Sequence, residues 1–146
     1  MDDPSSVVQP IRSHADSADG SEADSAQQSG AHLFDQALAL AQVNTTDHRA
    51  AYEGQVHPVF KNINDPYGGW SAALLARAIL NACDSELELV SLTSDYLAVP
   101  SGGRLQIDVD CDRSGRRTEF WRAVLTGRAD TNPANRAIAI LARRRD

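Results

Sequence analysis

The sequence predicts an α+β domain in which one antiparallel sheet wraps a single central helix. Three observations carry that expectation. The first is the stretch WSAALLARAILNAC, residues 70–83, which is rich in Ala and Leu and has no internal Gly or Pro. Its polar members are Ser71 and then Arg77 and Asn81, one turn apart, while Trp70, Leu74, Leu75, Ala78, Ile79, Leu80 and Ala82 cover most of the circumference. A helix apolar almost all round is buried almost all round, and in a chain of 146 residues a surrounding sheet is the natural way to bury it. The second is strict alternation in residues 104–112, with Leu105, Ile107, Val109 and Cys111 on one face and Arg104, Gln106, Asp108, Asp110 and Asp112 on the other. That pattern is a half-buried antiparallel strand. The third is the run Asn62–Gly69 (NINDPYGG), dense in turn formers, which opens directly onto the helix.

The elements follow in order. Residues 1–30 are Ser, Ala, Asp, Gln and Gly, with Val7, Val8 and Ile11 as the only sizeable apolar residues, too few to offset the entropy of ordering. They are expected to be a disordered acidic tail, and residues 31–146 the domain. Leu33, Phe34, Ala37, Leu38 and Ala41 recur at helical spacing and predict a short amphipathic helix. Residues 43–49 and 51–60 mix extended residues with Gly54 and suggest two strands. The central helix is expected over residues 69–83. After it, Leu92, Ser94 and Tyr96 alternate with Thr93, Asp95 and Leu97, until Pro100, Gly102 and Gly103 end the strand. Arg113–Arg116 form a tight turn, and residues 118–128 return with Trp121, Ala123 and Leu125 opposite Phe120, Arg122 and Val124. A last strand covers residues 137–141. The expected order is helix, two strands, buried helix and a four-strand meander.

Charge is unevenly distributed. The net charge of -6 combines -5 in residues 1–30, -5 in residues 31–102 and +4 in residues 103–146, so the predicted domain is nearly neutral and polarised. No apolar run approaches the roughly 20 residues of a membrane span, and the N-terminus lacks the basic start and apolar core of a signal peptide. A cytoplasmic location is expected. Cys83 and Cys111 read as two small apolar residues in a reducing compartment, and the four histidines are too scattered to share a metal. Nucleic-acid binding is disfavoured, because the domain is near neutral and its basic residues lack a stacking platform beyond Phe120 and Trp121.

The element order also fits a cone-shaped fold of the ketosteroid-isomerase kind. The residues do more. NDPYGGWSAALLARAIL, followed by SLTSDYLAVP, the RSGRRTEFWRAVL hairpin and a small-apolar final strand, resembles the acyl-CoA thioesterase family of the hotdog fold, specifically the N-terminal half of the double-hotdog thioesterase II type. The resemblance covers roughly residues 45–142. It implies a single hotdog domain, an acyl-CoA thioester as substrate, no cofactor, and a homodimer, since such domains generally pair or occur twice in one chain.

Thioester hydrolysis needs an activated water and a site that stabilises negative charge on the carbonyl oxygen. At a helix start the unpaired backbone N–H groups and the positive end of the macrodipole suit an oxyanion, and Gly68 and Gly69 would let a carbonyl approach that backbone. Asp65 could act as base or orient water, and Asn64 could donate to the thioester. Asp65 followed by Pro66 equally fits an N-cap with proline at the first helical position, and that role outweighs catalysis. The family's water-activating network of Asp, Thr and Gln resides in the C-terminal half. Thr93 is the hydroxyl on the strand after the helix that would correspond, although it also reads as an ordinary strand former. Asp95 reads as solvated. The central helix presents Ala, Leu and Arg77 where a catalytic acid would project, which leaves a non-catalytic acyl-CoA-binding or dimerisation module as the alternative. A hotdog dehydratase is disfavoured, because no Asp is followed by His in the helix.

Arg113, Arg116 and Arg117 could hold coenzyme A phosphates by charge-assisted contacts, or pair with Asp108, Asp110 and Asp112 across the hairpin. Tyr67, Trp70 and Tyr96 would bound an acyl pocket if the helix start faces it. Helical spacing places Trp70 with Leu74, a core position, and leaves Tyr67 as the better pocket residue.

Overall fold

A computed structural model describes residues 30–63 and 65–144; the predicted tail up to residue 29 and Asn64 lie outside the described residues. The elements are α1 (Leu33–Ala37), β1 (Ala41–Thr46), β2 (Arg49–Gln55), a 3-10 turn (Pro58–Phe60), α2 (Gly68–Ala82), β3 (Leu87–Tyr96), β4 (Arg104–Ser114), β5 (Thr118–Gly127) and β6 (Asn135–Arg143). All six strands form one antiparallel sheet in the order β1-β2-β4-β5-β6-β3. Helix α2 packs against β2 through β6, so the helix-in-sheet arrangement expected of a hotdog domain is the one formed.

The alternation read from the sequence sets which face is buried. Leu105, Ile107 and Val109 from β4, Trp121, Ala123 and Leu125 from β5, and Ala137, Ala139 and Leu141 from β6 meet Leu74, Leu75, Ala78 and Ile79 of α2 in one core. The outer face carries charge: Asp110 is held between Arg49 (2.5 Å) and Arg122 (3.6 Å), and Arg122 also reaches Asp112 (3.4 Å). Cross-hairpin pairing therefore falls to Arg122, with Arg49 of β2 reaching Asp110 from the other side, and among the described residues Arg113, Arg116 and Arg117 form no ion pair.

One expectation is corrected. A four-strand meander would place β3 beside β4, but both sides of β4 are occupied, by β2 and β5, and β3 pairs with β6 at the far edge. The loop 97–103 carries the chain back from that edge. It turns at Gly102 and Gly103, whose φ of 80° and 73° lie in the left-handed region that favours glycine. The strand itself is longer than expected and bulged between Leu89 and Ser91, which breaks the alternation over its first half and hid that half from the sequence pattern. Among the described residues no helix is long and apolar enough to cross a membrane.

Candidate active site

Three strands and the first turn of α2 build a cleft. The register aligns Leu125 of β5, Asn135 of β6 and Tyr96 of β3 in one row across the sheet. Above that row stands the start of α2 with Gly68 and Ser71, and the loop after β3, including Leu97 and Ala98, closes the side. The cleft has a volume of about 280 Å³ and a mostly apolar lining, near the lower end of ligand-binding cavities. Ser101 of the same loop fastens it to the β5–β6 turn: its hydroxyl and its backbone N–H both donate to the Asp130 carboxylate. Those two bonds, the hydroxyl's first, hold the Asp130 carboxyl below the usual carboxylate range.

The helix start differs from the capping reading. The N-cap position is Tyr67, and among the described residues no side chain caps the helix. Asp65 lies outside it, in a tight exposed loop where Lys61 and Pro66 bridge and the Asn62 N–H donates to the Asp65 carbonyl at 2.7 Å. The cause is local: the Tyr67 N–H is drawn to the Phe60 carbonyl at 2.8 Å, which sets the N-cap two residues after Asp65. The Gly68 and Gly69 amides consequently have no acceptor among the described residues. The side the two glycines leave open is not empty, however. A Cβ on Gly68 would sit 3.0 Å from the Tyr96 ring, and one on Gly69 would sit 2.6 Å from the Tyr67 ring. Each glycine is thus the seat of a tyrosine; both tyrosines are 58% exposed, and Tyr96 lines the cleft.

The cleft floor is polar and neutral. Asn135, 3% exposed, donates from Nδ2 to the Ser71 hydroxyl at 3.2 Å and to the Ser94 hydroxyl at 3.4 Å. The Ser71 hydroxyl donates in turn to the Gly68 carbonyl at 2.9 Å, and the Ser94 hydroxyl to the Arg136 carbonyl at 3.3 Å. The Tyr96 hydroxyl donates to the same Gly68 carbonyl at 3.0 Å. This cluster satisfies its own buried donors, as a buried network must.

The structure thus brings Gly68 and Tyr96 to the cleft, while Tyr67 lies over Gly69, and neither of those two lines it. Other expected residues lie elsewhere. Asp65 faces a separate depression with Lys61 and Gly103, beyond the ridge of Pro66, Val99 and Pro100. Thr93 sits on the outer face of β3, opposite the exposed Ile138 and beside Asp95, which pairs with Arg136 at 3.4 Å. Trp70 is core, 1% exposed, with its indole N–H on the Ala37 carbonyl of α1 at 3.0 Å. Arg113, Arg116 and Arg117 lie at the opposite end of the sheet, where the Arg117 carbonyl accepts from Arg143 and Arg143 faces Leu87. That end is roughly 30 Å along a ten-residue strand from Tyr96. Cys83 and Cys111 are unpaired and half-buried against the core, and burial pushes both thiols up, away from the thiolate that makes a cysteine reactive.

Sequence reasoning missed Ser71, Ser94 and Asn135 as a group. A signal existed for the first two: Ser71 is the lone polar residue in the first turn of an apolar helix, and Ser94 sits on the inward row with Leu92 and Tyr96.

Residues 56–142 match the family described as the acyl-CoA thioesterase N-terminal domain. No curated relative matches the chain. Among solved structures, a conserved hot dog fold protein of unknown function from Alicyclobacillus acidocaldarius superposes with a TM-score of 0.67 at 26% identity, over 80% of this chain and 41% of that one. The phenylacetic acid degradation protein PaaI from Thermus thermophilus is similar at a TM-score of 0.67 and 20% identity, over 76% of this chain and 98% of that one. Zebra fish thioesterase superfamily member 2 is similar at 0.63 and 17%, over 72% and 81%. With its six-stranded antiparallel sheet packed on α2 and the family match spanning more than half its length, the chain belongs to the acyl-CoA thioesterase N-terminal domain family and is a hotdog domain.

Proposed function

We propose that the protein binds acyl-CoA thioesters and hydrolyses them to the free acid and coenzyme A. The observation that carries this is the apolar cleft opening onto the uncapped start of α2. The acyl chain lies in the cleft, and the thioester carbonyl oxygen turns to the Gly68 and Gly69 amides, where negative charge is stabilised by unpaired N–H groups and the macrodipole. Tyr96 stands at the rim with Tyr67 beside it, and of the two loop residues read as water-positioning candidates Asn64 takes that role, because Asp65 faces the separate depression beyond Pro66. A cytoplasmic location belongs to the same reading.

The protein acts as a homodimer in this proposal. Among the described residues strand β3 has β6 as its single neighbour in the sheet, and an open strand edge is a template for a second chain. Antiparallel pairing of two β3 strands would set the start of one beside the end of the other. The second copy's arginine-rich hairpin, with Arg113, Arg116 and Arg117, then moves toward this cleft, where it would hold the phosphates of coenzyme A.

One observation favours a second reading, binding without hydrolysis: among the described residues no Asp, Glu or His lines the cleft. Release of free thiol from a panel of acyl-CoAs separates the two. Hydrolysis predicts turnover for at least one chain length, lowered about 100-fold or more in Asn64→Ala and little changed in Asp65→Asn. Saturable binding with no thiol released at any chain length would leave the second reading standing and the first refuted.

A further inference from the structure

The hydrogens of the cleft floor can be accounted for one by one, and the account restricts what the floor can recognise. Ser71 and Ser94 each spend their single hydroxyl hydrogen on a backbone carbonyl, of Gly68 and Arg136 respectively. Asn135 spends both amide hydrogens on those two hydroxyls. The two serines, already committed as donors, can only accept from this side chain, so its nitrogen must face them and its Oδ1 must turn away. The Tyr96 hydroxyl hydrogen is committed to Gly68 as well. No donor on the floor is left to offer.

What remains is an acceptor. Asn135 Oδ1 takes no hydrogen bond among the described residues, yet it is absent from the sealed polar atoms that lack a partner, of which the Tyr52 hydroxyl is the one among the described residues. The residue is 3% exposed, and the opening it lines is the cleft. The oxygen is held in place by two hydrogen bonds from the nitrogen of the same amide and flanked by the apolar Leu125 and Ala134. A fixed acceptor in an apolar wall rewards a ligand that brings an O–H and penalises one that brings another acceptor.

We propose that the cleft selects acyl thioesters bearing a hydroxyl a few bonds from the thioester carbonyl, recognised by the Asn135 side-chain oxygen. This rests on the acyl-thioester reading above and adds the substrate class. Donors and acceptors are segregated along the cleft: backbone N–H groups at the helix start suit the thioester carbonyl, and the Asn135 oxygen suits a hydroxyl on the chain. Ser71 and Ser94 are positioning residues, acting on the ligand through the orientation they give Asn135.

The test is calorimetric titration of the full chain with three coenzyme A thioethers that cannot be hydrolysed: S-octyl, S-(3-hydroxyoctyl) and S-(3-fluorooctyl). Fluorine replaces the hydroxyl with an acceptor of similar size. The wild type is expected to bind the hydroxyl analogue about three- to tenfold more tightly than the fluoro analogue. Asn135→Leu, close in shape, leaves both serine hydroxyls their backbone acceptors and should remove the preference. If that variant does not fold, Ser94→Ala, which releases one amide hydrogen and loosens the orientation, should narrow it. Equal binding of hydroxyl and fluoro analogues by the wild type, or a preference that survives both substitutions, overturns the proposal. If S-octyl-CoA binds while the hydroxyl gives no advantage, the proposal alone falls. If none of the three binds, the thioester reading falls with it.

Discussion

Trp70→Ala is expected to lower stability by about 3–5 kcal/mol, the usual cost of emptying a buried tryptophan site. That is a large fraction of the roughly 5–15 kcal/mol that holds a domain of this size together, and it shifts the unfolding midpoint by on the order of 10 °C or more. The reasons are packing and a bond. Trp70 fills the space between the first turn of α2 and the sheet at 1% exposure, and its indole N–H ties the Ala37 carbonyl of α1 to that turn. Trp70→Phe keeps most of the apolar volume but leaves the Ala37 carbonyl without its partner, for about 1–3 kcal/mol. Tyr67→Ala, three residues earlier and exposed, should change stability by less than about 0.5 kcal/mol. Chemical unfolding of the three variants checks the order. A Trp70→Phe protein as stable as the wild type but altered in acyl-CoA binding would move Trp70 out of the core and into the cleft.

Gly127→Ala has the second large effect, and it reaches the cleft through the backbone. A Cβ at this position would stand 2.8 Å from both the amide nitrogen and the carbonyl oxygen of Ser101 and would collide with the Asp130 carboxylate. Backbone atoms cannot swing aside as a side-chain tip can, so the loop 97–103 has to shift. Overpacking of this kind costs about 1–3 kcal/mol, and it loosens the Ser101–Asp130 fastening that holds the cleft wall. Stability and ligand binding should fall together. Gly103→Ala is the contrast: nothing lies within 4 Å of its added Cβ, and its cost is the left-handed φ of 73°, about 1–2 kcal/mol. Unfolding curves paired with S-octyl-CoA titration distinguish the two. Weakened binding in Gly103→Ala but not in Gly127→Ala would contradict this account of the cleft wall.

Much of the fold was legible because its two strongest signals are local. The apolar circumference of α2 and the alternation of β4 depend on neighbours within one element, and both stand within a residue or two of where they were read. Alternation also bears on function. With Leu92, Ser94 and Tyr96 on the inward row, Thr93 belongs outside with Asp95, and the structure places it there, away from the cleft. The position of β3 beside β6 was not legible, since pairing between distant strands leaves no periodic trace. The polar floor was hidden for the same reason. Asn135 fell between the last two expected strands, residues 118–128 and 137–141, and its partners Ser71 and Ser94 are 64 and 41 residues away. Only the register that aligns Leu125, Asn135 and Tyr96 brings such residues to one place.

The central claim is that the cleft beside the start of α2 holds the acyl chain, and filling it tests that claim directly. Ala98 lines the cleft yet is exposed, so Ala98→Phe should occupy the space while leaving stability within about 0.5 kcal/mol. Titrated with S-octyl-CoA, the wild type should bind saturably and Ala98→Phe on the order of tenfold or more weakly, a loss of about 1.4 kcal/mol or greater. A folded Ala98→Phe protein that binds S-octyl-CoA as tightly as the wild type would place the acyl chain somewhere else and contradict the account.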